Sequence, residues 1–196
     1  MSRQMAFYVE QKHCTGCGAC QIACKDKNNL PMGQNFRQIH AYEGGSFAVN
    51  GSVVEQHVYA YWVSVSCNHC VHPVCVTVCP SGAMHKQAED GLVLINAERC
   101  IGCGRCLVAC PYHAPQFDGI TRKMKKCDFC QDLLLEGKEP SCISACPMRV
   151  LGYGALREMQ GKYGKISWIK GLPQTTKLEP AWVLVPHRDA TGLCCR

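Results

Sequence analysis

The chain of 196 residues carries a formal net charge of +6, is 47% apolar and contains 18 cysteines. This size and apolar content allow one domain or two small ones. The N-terminal sequence has neither a signal-peptide core nor a twin arginine, and no apolar stretch is uninterrupted enough to span a membrane. We therefore expect a soluble chain that folds in the reducing cytoplasm, where clustered thiols bind metal more often than each other.

The first predicted element is a strand, MAFYVE, which leads into the first of four cysteine motifs. The motifs share the pattern C-x2-C-x(2, 4 or 11)-C-x3-C, and their residues in chain order are Cys14, Cys17, Cys20 and Cys24; Cys67, Cys70, Cys75 and Cys79; Cys100, Cys103, Cys106 and Cys110; and Cys127, Cys130, Cys142 and Cys146. The C-x2-C spacing lets a tight turn present sulfurs to the corners of one iron–sulfur cubane. In bacterial-type ferredoxins the last thiolate, one helical turn further on, binds the second cluster of a pair. The repeat therefore predicts two pairs of clusters.

The segments between the motifs indicate which motifs pair. Residues 34–66, between motifs one and two, predict strands with turns at Gly44-Gly45 and Asn50-Gly51. Between motifs two and three the sequence predicts a strand, a turn at Asp90-Gly91 and a second strand from Leu92 to Ile95. Two-cluster ferredoxins carry such a hairpin between their motifs. We therefore expect motifs two and three to form an inner pair and motif one to pair with motif four.

After the fourth motif the sequence predicts a short strand and then a helix from about Ala155 to Tyr163. Residues 165–196 contain three prolines and little helical periodicity, which predicts an extended tail. The stretch AWVLVP is its most strand-like piece. Because Trp182 lies within this apolar run, we expect the tail to dock on a partner. Cys194 and Cys195 stand outside the four motifs and receive no role.

These elements predict an α+β fold of two nested bacterial-ferredoxin-like 2[4Fe-4S] units, with a β-hairpin insertion and an extended C-terminal tail. The predicted outer unit comprises residues 1–33 and 112–164, the inner unit residues 67–111, the insertion residues 34–66 and the tail residues 165–196.

Zinc and disulfide bonds are the two alternatives to iron–sulfur binding by these cysteines. Structural zinc uses two C-x2-C knuckles separated by a longer loop, a pattern that motif four fits and motifs one and three do not. A zinc-stabilised scaffold therefore stays open as an alternative. Disulfides have little reason to form in a chain that is not exported.

The net charge and the absence of known nucleotide-binding and catalytic motifs argue against several classes of function. Sixteen thiolates around four cores of about 2+ each would bring the net charge to about −2, so the basic excess is poor evidence for nucleic acid. No phosphate-binding loop, flavin or nicotinamide fingerprint, or catalytic triad stands out. The residues predict an electron carrier with no catalytic residue of its own and no nucleic-acid partner.

The four motifs, together with SCNHC, CPSGAMHK, KCDFC and CISACPMRVLGYG, resemble the iron–sulfur (B) subunits of the dimethyl sulfoxide reductase family of molybdenum oxidoreductases, over roughly residues 5 to 185. The resemblance implies a relay of electrons, in anaerobic respiration, from a quinol-oxidising membrane-anchor subunit to a molybdopterin-containing catalytic subunit. It implies a chain peripheral to the cytoplasmic membrane, on a side that the sequence leaves open. Iron–sulfur subunits of a formate dehydrogenase, a hydrogenase, or a tetrathionate or polysulfide reductase stay open as alternatives.

The resemblance also implies four [4Fe-4S] clusters and their ligands. The implied sets are Cys14, Cys17, Cys20 and Cys146; Cys24, Cys127, Cys130 and Cys142; Cys67, Cys70, Cys75 and Cys110; and Cys79, Cys100, Cys103 and Cys106. In nitrate reductase relatives a tryptophan replaces one cysteine of motif three and leaves a three-iron cluster. Here Cys103 is intact, so four-iron clusters are expected throughout.

Overall fold

The computed structural model describes residues 3–174 and 177–191, so Cys194 and Cys195 lie outside the described residues. Within these ranges the strands are β1 (Met5–Glu10), β2 (Gln38–Gly44), β3 (Phe47–Asn50), β4 (Val53–Gln56), β5 (Tyr59–Val65), β6 (Met84–Lys86), β7 (Val93–Ile95), β8 (Gln116–Asp118), β9 (Lys123–Lys125), β10 (Leu151–Ala155) and β11 (Trp182–Val185). The helices are α1 (Ala19–Lys27), α2 (Val74–Thr77), α3 (Arg105–Ala109), α4 (Gln131–Leu135), α5 (Ser141–Ser144) and α6 (Leu156–Tyr163). This mixture of short helices and strands agrees with the predicted α+β class.

A three-stranded sheet in the order β10-β1-β11 joins the two ends of the chain. Strand β1 runs antiparallel to β10, with Met5 opposite Ala155, and parallel to β11, with Phe7 opposite Trp182. Strand β1 has a hydrogen-bonded neighbour at each edge. Its residues from Met5 to Val9 are all buried, so both of its faces are covered as well. The strands predicted in MAFYVE, after motif four and in AWVLVP are confirmed, and so is helix α6.

The C-terminal segment packs on its own chain. Trp182 is 2% exposed, and its indole Nε1 donates a hydrogen bond of 2.7 Å to the backbone oxygen of Ser167. Ile169, Val183 and Leu184 are also buried. The expectation that Trp182 anchors the tail on a partner is therefore wrong. The apolar run that suggested docking is instead buried inside the molecule as strand β11, which pairs with β1.

Residues between motifs one and two form one long antiparallel arm. Strand β2 pairs with β5 along its whole length, and β3 pairs with β4 further out. The chain reverses at Gly51, which has a φ of 65°. Gly45, with a φ of 108°, lies between β2 and β3 and does not reverse the chain. Of the two turns predicted here, the one at Asn50-Gly51 is a reversal and the one at Gly44-Gly45 is a bend within the arm.

Two further strand pairs lie beside the cysteine motifs. Strands β6 and β7 pair antiparallel between motifs two and three, with Met84 opposite Ile95. Strands β8 and β9 pair in the same way between motifs three and four, with Phe117 opposite Met124. The main core packs β1, β5 and β11 against buried cysteines of motifs one and four. Among the described residues, no helix has the length and apolar character needed to cross a bilayer.

Candidate iron–sulfur sites

Three cavities in the structure are each lined by four cysteines. Their cysteines are Cys14, Cys17, Cys20 and Cys146 in the first cavity; Cys67, Cys70, Cys75 and Cys110 in the second; and Cys79, Cys100, Cys103 and Cys106 in the third. In every case three cysteines come from one motif and the fourth comes from a different motif. The fold therefore brings together thiols that are distant in sequence, in the same sets that the resemblance implies.

The remaining four motif cysteines interact electrostatically with one another. Burial and then the neighbouring Cys142 and Cys130 raise the pKa of the Cys24 thiol to about 12. Burial also raises the pKa of Cys127 well above its ordinary value, with Cys24 as the next contribution. Cys24 of motif one thus meets three cysteines of motif four, which makes a fourth group.

Left-handed glycines shape the turns of motifs one and three. Gly16 and Gly18 have φ values of 68° and 77°, and their counterparts Gly102 and Gly104 have values of 69° and 72°. A positive φ costs glycine little conformational free energy, because glycine has no Cβ. Gly18 lies directly before α1, and Gly104 lies directly before α3. Each pair turns the backbone so that the cysteines on either side face one cavity.

Motif four makes its turn without glycine. Phe129 and Cys130 both have a positive φ, 67° and 52°. The Asp128 carboxylate supports this turn, because its Oδ1 accepts a hydrogen bond of 2.8 Å from the backbone N–H of Cys130. The long x11 gap that follows holds α4 and the start of α5, which carries Cys142.

Backbone N–H groups point at several of the thiols. The N–H of Met84 lies 3.4 Å from the sulfur of Cys79, the N–H of Met124 lies 3.4 Å from that of Cys100, and the N–H of Phe129 lies 3.4 Å from that of Cys127. Although burial opposes it, donors that include the Met84 N–H lower the pKa of Cys79 below its ordinary value. Donors of this kind stabilise thiolate ligands.

Burial has the opposite effect on most of the other thiols. It is the largest cause of the raised pKa of Cys70 and Cys75, each about 12, and of Cys106, about 11. Neighbouring cysteines of the same group raise these values further. Buried thiolates this close together need a positive charge at their centre, which a metal core provides.

The four groups also interact in a definite succession. Cys142, in the group of motif four, contributes to the raised pKa of Cys20 in the group of motif one, after the larger effect of burial. Cys67 contributes in the same way to that of Cys127, and Cys106 to that of Cys75. The groups of motif one, motif four, motif two and motif three therefore follow one another through the molecule in that order.

The donor chemistry fits iron–sulfur clusters. All four groups consist of four thiols, which is the ligand set that [4Fe-4S] clusters take. Three buried nitrogen atoms near the cysteines, Arg37 Nε, Asn68 Nδ2 and His69 Nε2, have no hydrogen-bond partner among the described residues, so they are available to acceptors such as cluster sulfides. In the part of the chain that the structure describes, no three Cys, His, Asp or Glu side chains form a site for a single metal ion.

Comparison with known proteins gives the family. Residues 58–156 match the family described as a 4Fe-4S dicluster domain, and residues 11–33 match a 4Fe-4S binding domain. The chain is 43% identical over 190 residues to the B subunit of anaerobic dimethyl sulfoxide reductase from Escherichia coli (strain K12), covering 97% of this chain and 92% of that protein. It belongs to the dimethyl sulfoxide reductase family of iron–sulfur B subunits.

Subunits of other reductases are also similar to this protein. The chain is 38% identical over 163 residues to the thiosulfate reductase electron transfer subunit of Salmonella typhi, covering 82% of this chain and 80% of that protein. It is 32% identical over 167 residues to the B subunit of polysulfide reductase from Wolinella succinogenes, covering 85% of this chain and 84% of that protein. As an iron–sulfur B subunit, the protein is thus a 4Fe-4S electron-transfer subunit.

Sequence reasoning missed the polar residues that surround the cysteines. Arg37 and Ser64 are buried beside the groups of motifs one and four, yet neither lies within a cysteine motif. Their positions on the long arm, in the stretches FRQIHAY and WVSVS, give no spacing signal. The one available hint was an arginine and two serines at the ends of otherwise strand-like segments.

Proposed function

We propose that this chain holds four [4Fe-4S] clusters and relays electrons in a respiratory reductase complex. The observation that carries the proposal is the crossing of motifs in every cysteine group, in which Cys146, Cys24, Cys110 and Cys79 each join a group dominated by another motif. The sixteen cysteines of the four groups would be the iron ligands. When bound, such clusters accept and release one electron each.

The proposed ligand sets divide the chain into nested units. Residues 1–33 and 112–164 would form the outer unit, residues 67–111 the inner unit and residues 34–66 an inserted arm, with residues 165–196 as a C-terminal segment. The contacts between α1 and α5, and between α2 and α3, support this division, because each joins the motifs of one proposed pair.

The chain's own residues perform three tasks in this function. Thiolates would hold the cores, backbone N–H groups stabilise the thiolates, and the buried core excludes water from the group of motif four. The two ends of the series are more accessible, since Cys17 in the first group and Cys103 in the last are exposed. We propose these two ends as the places where electrons leave and enter.

We propose two partners, a molybdopterin-containing catalytic subunit and a quinol-oxidising membrane-anchor subunit. The relatives include the B subunit of a dimethyl sulfoxide reductase and the electron transfer subunit of a thiosulfate reductase, and both names imply other chains. The chain would be a non-catalytic subunit, peripheral to the cytoplasmic membrane. A thiosulfate or polysulfide reductase complex is the second candidate, supported by the relatives at 38% and 32% identity.

Oxygen-free purification of the chain with its partners tests the proposal. We expect a brown protein with about sixteen iron and sixteen sulfide ions per chain. After reduction it should give several overlapping signals by electron paramagnetic resonance. A colourless protein with stoichiometric zinc would refute it. Electron acceptors offered to the purified, reduced complex, namely dimethyl sulfoxide, thiosulfate and polysulfide, separate the two candidate complexes.

A further inference from the structure

Arg37 is a fully buried cation whose position needs explanation. Its side chain is 1% exposed, just before β2. A buried charge is costly unless it is paired, so a buried arginine ordinarily has a carboxylate partner. Within residues 3–174 and 177–191, no ion pair joins Arg37 to an aspartate or glutamate. Its counter-charge must come from another kind of anion.

Neutral groups hold the guanidinium in one orientation. Nη1 donates to Ser64 Oγ at 2.9 Å, and Nη2 donates to Ser66 Oγ at 3.0 Å. The Arg37 Cζ lies 4.5 Å from the centroid of the Phe7 ring, a cation–π contact. The third nitrogen, Nε, is buried and has no hydrogen-bond partner in the described part of the chain. The guanidinium is therefore held in place, with its Nε–H free for an acceptor.

Thiols from two different cysteine groups surround this cation. The Phe7 ring that the guanidinium contacts stacks on Phe129, which lies between Cys127 and Cys130 in the sequence. On its other side, Ser64 links the guanidinium to Cys20. Cys20 belongs to the group of motif one, and Cys127 and Cys130 belong to the group of motif four. Arg37 thus lies between the two groups that motifs one and four build together.

Ser64 connects the guanidinium to one particular thiol. Its Oγ accepts from Arg37 at 2.9 Å and lies 3.4 Å from the sulfur of Cys20. Because the lone pairs of the hydroxyl face the guanidinium, its hydrogen is free to point at the Cys20 sulfur. Ser66 differs, since its Oγ contacts the backbone oxygen of Cys67 at 3.5 Å. The same cation is therefore linked to a thiol on one side and to a carbonyl on the other.

We propose that Arg37 is a positioning residue that raises the reduction potentials of both clusters of the outer pair, and that Ser64 adds to this effect at the cluster held by Cys20. The inference rests on the proposed clusters and deepens their function. Each reduction adds one negative charge to a core. A fixed neighbouring cation stabilises the reduced form more than the oxidised form, and a hydrogen bond to a ligand sulfur acts in the same direction.

The test is a redox titration of the purified complex, followed by electron paramagnetic resonance. Single variants Cys14→Ser and Cys24→Ser first assign the signals of the two outer clusters. The two neutral variants are Arg37→Gln, whose amide can still donate hydrogen bonds to the serines, and Arg37→Met. In both we expect the reduction equilibrium of the two outer clusters to shift at least tenfold toward the oxidised form. For a one-electron couple this lowers the potential by about 59 mV. The inner clusters should keep their potentials, and Arg37→Lys should restore most of the loss.

Matched variants separate charge from packing. Ser64→Ala should lower the potential of the Cys20 cluster alone, whereas Ser66→Ala should leave it unchanged. Lys138→Met, which removes an exposed cation, should move no potential. Unchanged outer potentials in either neutral Arg37 variant at full iron content would overturn the inference, as would an equal shift of all four clusters. If Arg37→Gln or Arg37→Met loses iron, the outer-cluster potentials measured in the other variant decide the test. Wild-type protein without iron would instead refute the proposed function.

Discussion

The ring of Phe7 on β1 stacks on the ring of Phe129 in motif four, with centroids 4.0 Å apart and planes inclined by 20°. This contact joins the start of the chain to the turn that presents Cys127 and Cys130. Phe129 also meets His69 and Tyr153 edge to face, at 5.4 Å and 6.2 Å. One aromatic side chain thus fixes the positions of two cysteine motifs and of the central sheet.

Replacing Phe129 by Ala should destabilise the protein by about 3–5 kcal/mol, because a buried aromatic ring is lost and a cavity remains. Ring packing holds Phe129 at a φ of 67°, which is strained for an L residue, so the turn should also loosen when that packing is lost. Thermal unfolding and iron content measure the two effects, and the outer clusters should lose iron first. Phe47→Ala, at a 65% exposed side chain on the arm, is the control and should change neither quantity. An unchanged unfolding temperature in Phe129→Ala would contradict the prediction.

The two glycines of motif one should respond differently to Ala. A Cβ at Gly16 would lie 2.6 Å from ring atoms of Trp62, whereas a Cβ at Gly18 would meet nothing within 4 Å. Both have positive φ, so both variants should lose about 1–2 kcal/mol from the left-handed backbone. Only Gly16→Ala should in addition displace Trp62 and reduce iron at the first site. Iron analysis and thermal unfolding check this, and equal behaviour of the two variants would count against it.

Replacing Cys110 by Ser should damage the cluster of motif two, since Cys110 lines the cavity of Cys67, Cys70 and Cys75. Cys106→Ser, four residues earlier in the same motif, should instead damage the cluster of motif three. Electron paramagnetic resonance of the two variants compares the signals that change. If both variants altered the same signal, the crossed ligand sets would be wrong.

Replacing Trp182 by Ala should cost about 3–5 kcal/mol of stability, because a buried side chain of β11 is removed and its indole hydrogen bond is lost. Trp168, whose side chain is 42% exposed, is the matched control, and Trp168→Ala should cost much less. Chemical denaturation measures both. A Trp182→Ala chain with normal stability that no longer binds a partner would restore the docking role that the structure argues against.

Cysteine spacing indicated which cysteines come together better than it indicated the fold. The position of Cys110 followed from a helical turn after Cys106, because ligand spacing is a local property of the chain. Strand β1 and helix α6 also followed from local pattern. The pairing of β11 with β1 did not, since a parallel contact between residues 7–10 and 182–185 has no local signature.

The arginine at the centre of the outer pair could not be predicted for a related reason. Nothing near Arg37 in sequence marks it as buried, and its partners Ser64 and Ser66 lie on the opposite strand of the β2–β5 arm, 27 and 29 residues later in the chain. Interactions of this kind depend on strand register, which the alternation of residue types alone leaves undetermined. The net charge of the chain likewise gave no sign of a cation held by the arm.

The central place of β1 bears on how the protein is made. This strand is synthesised well before both of its neighbours, β10 and β11. Until β10 and β11 have been synthesised, the apolar residues of β1 lie uncovered, and such strands promote aggregation of a nascent chain. The sheet can therefore close only after β10 and β11 have been synthesised, and a chain that terminates before them leaves both edges of β1 open to aggregation.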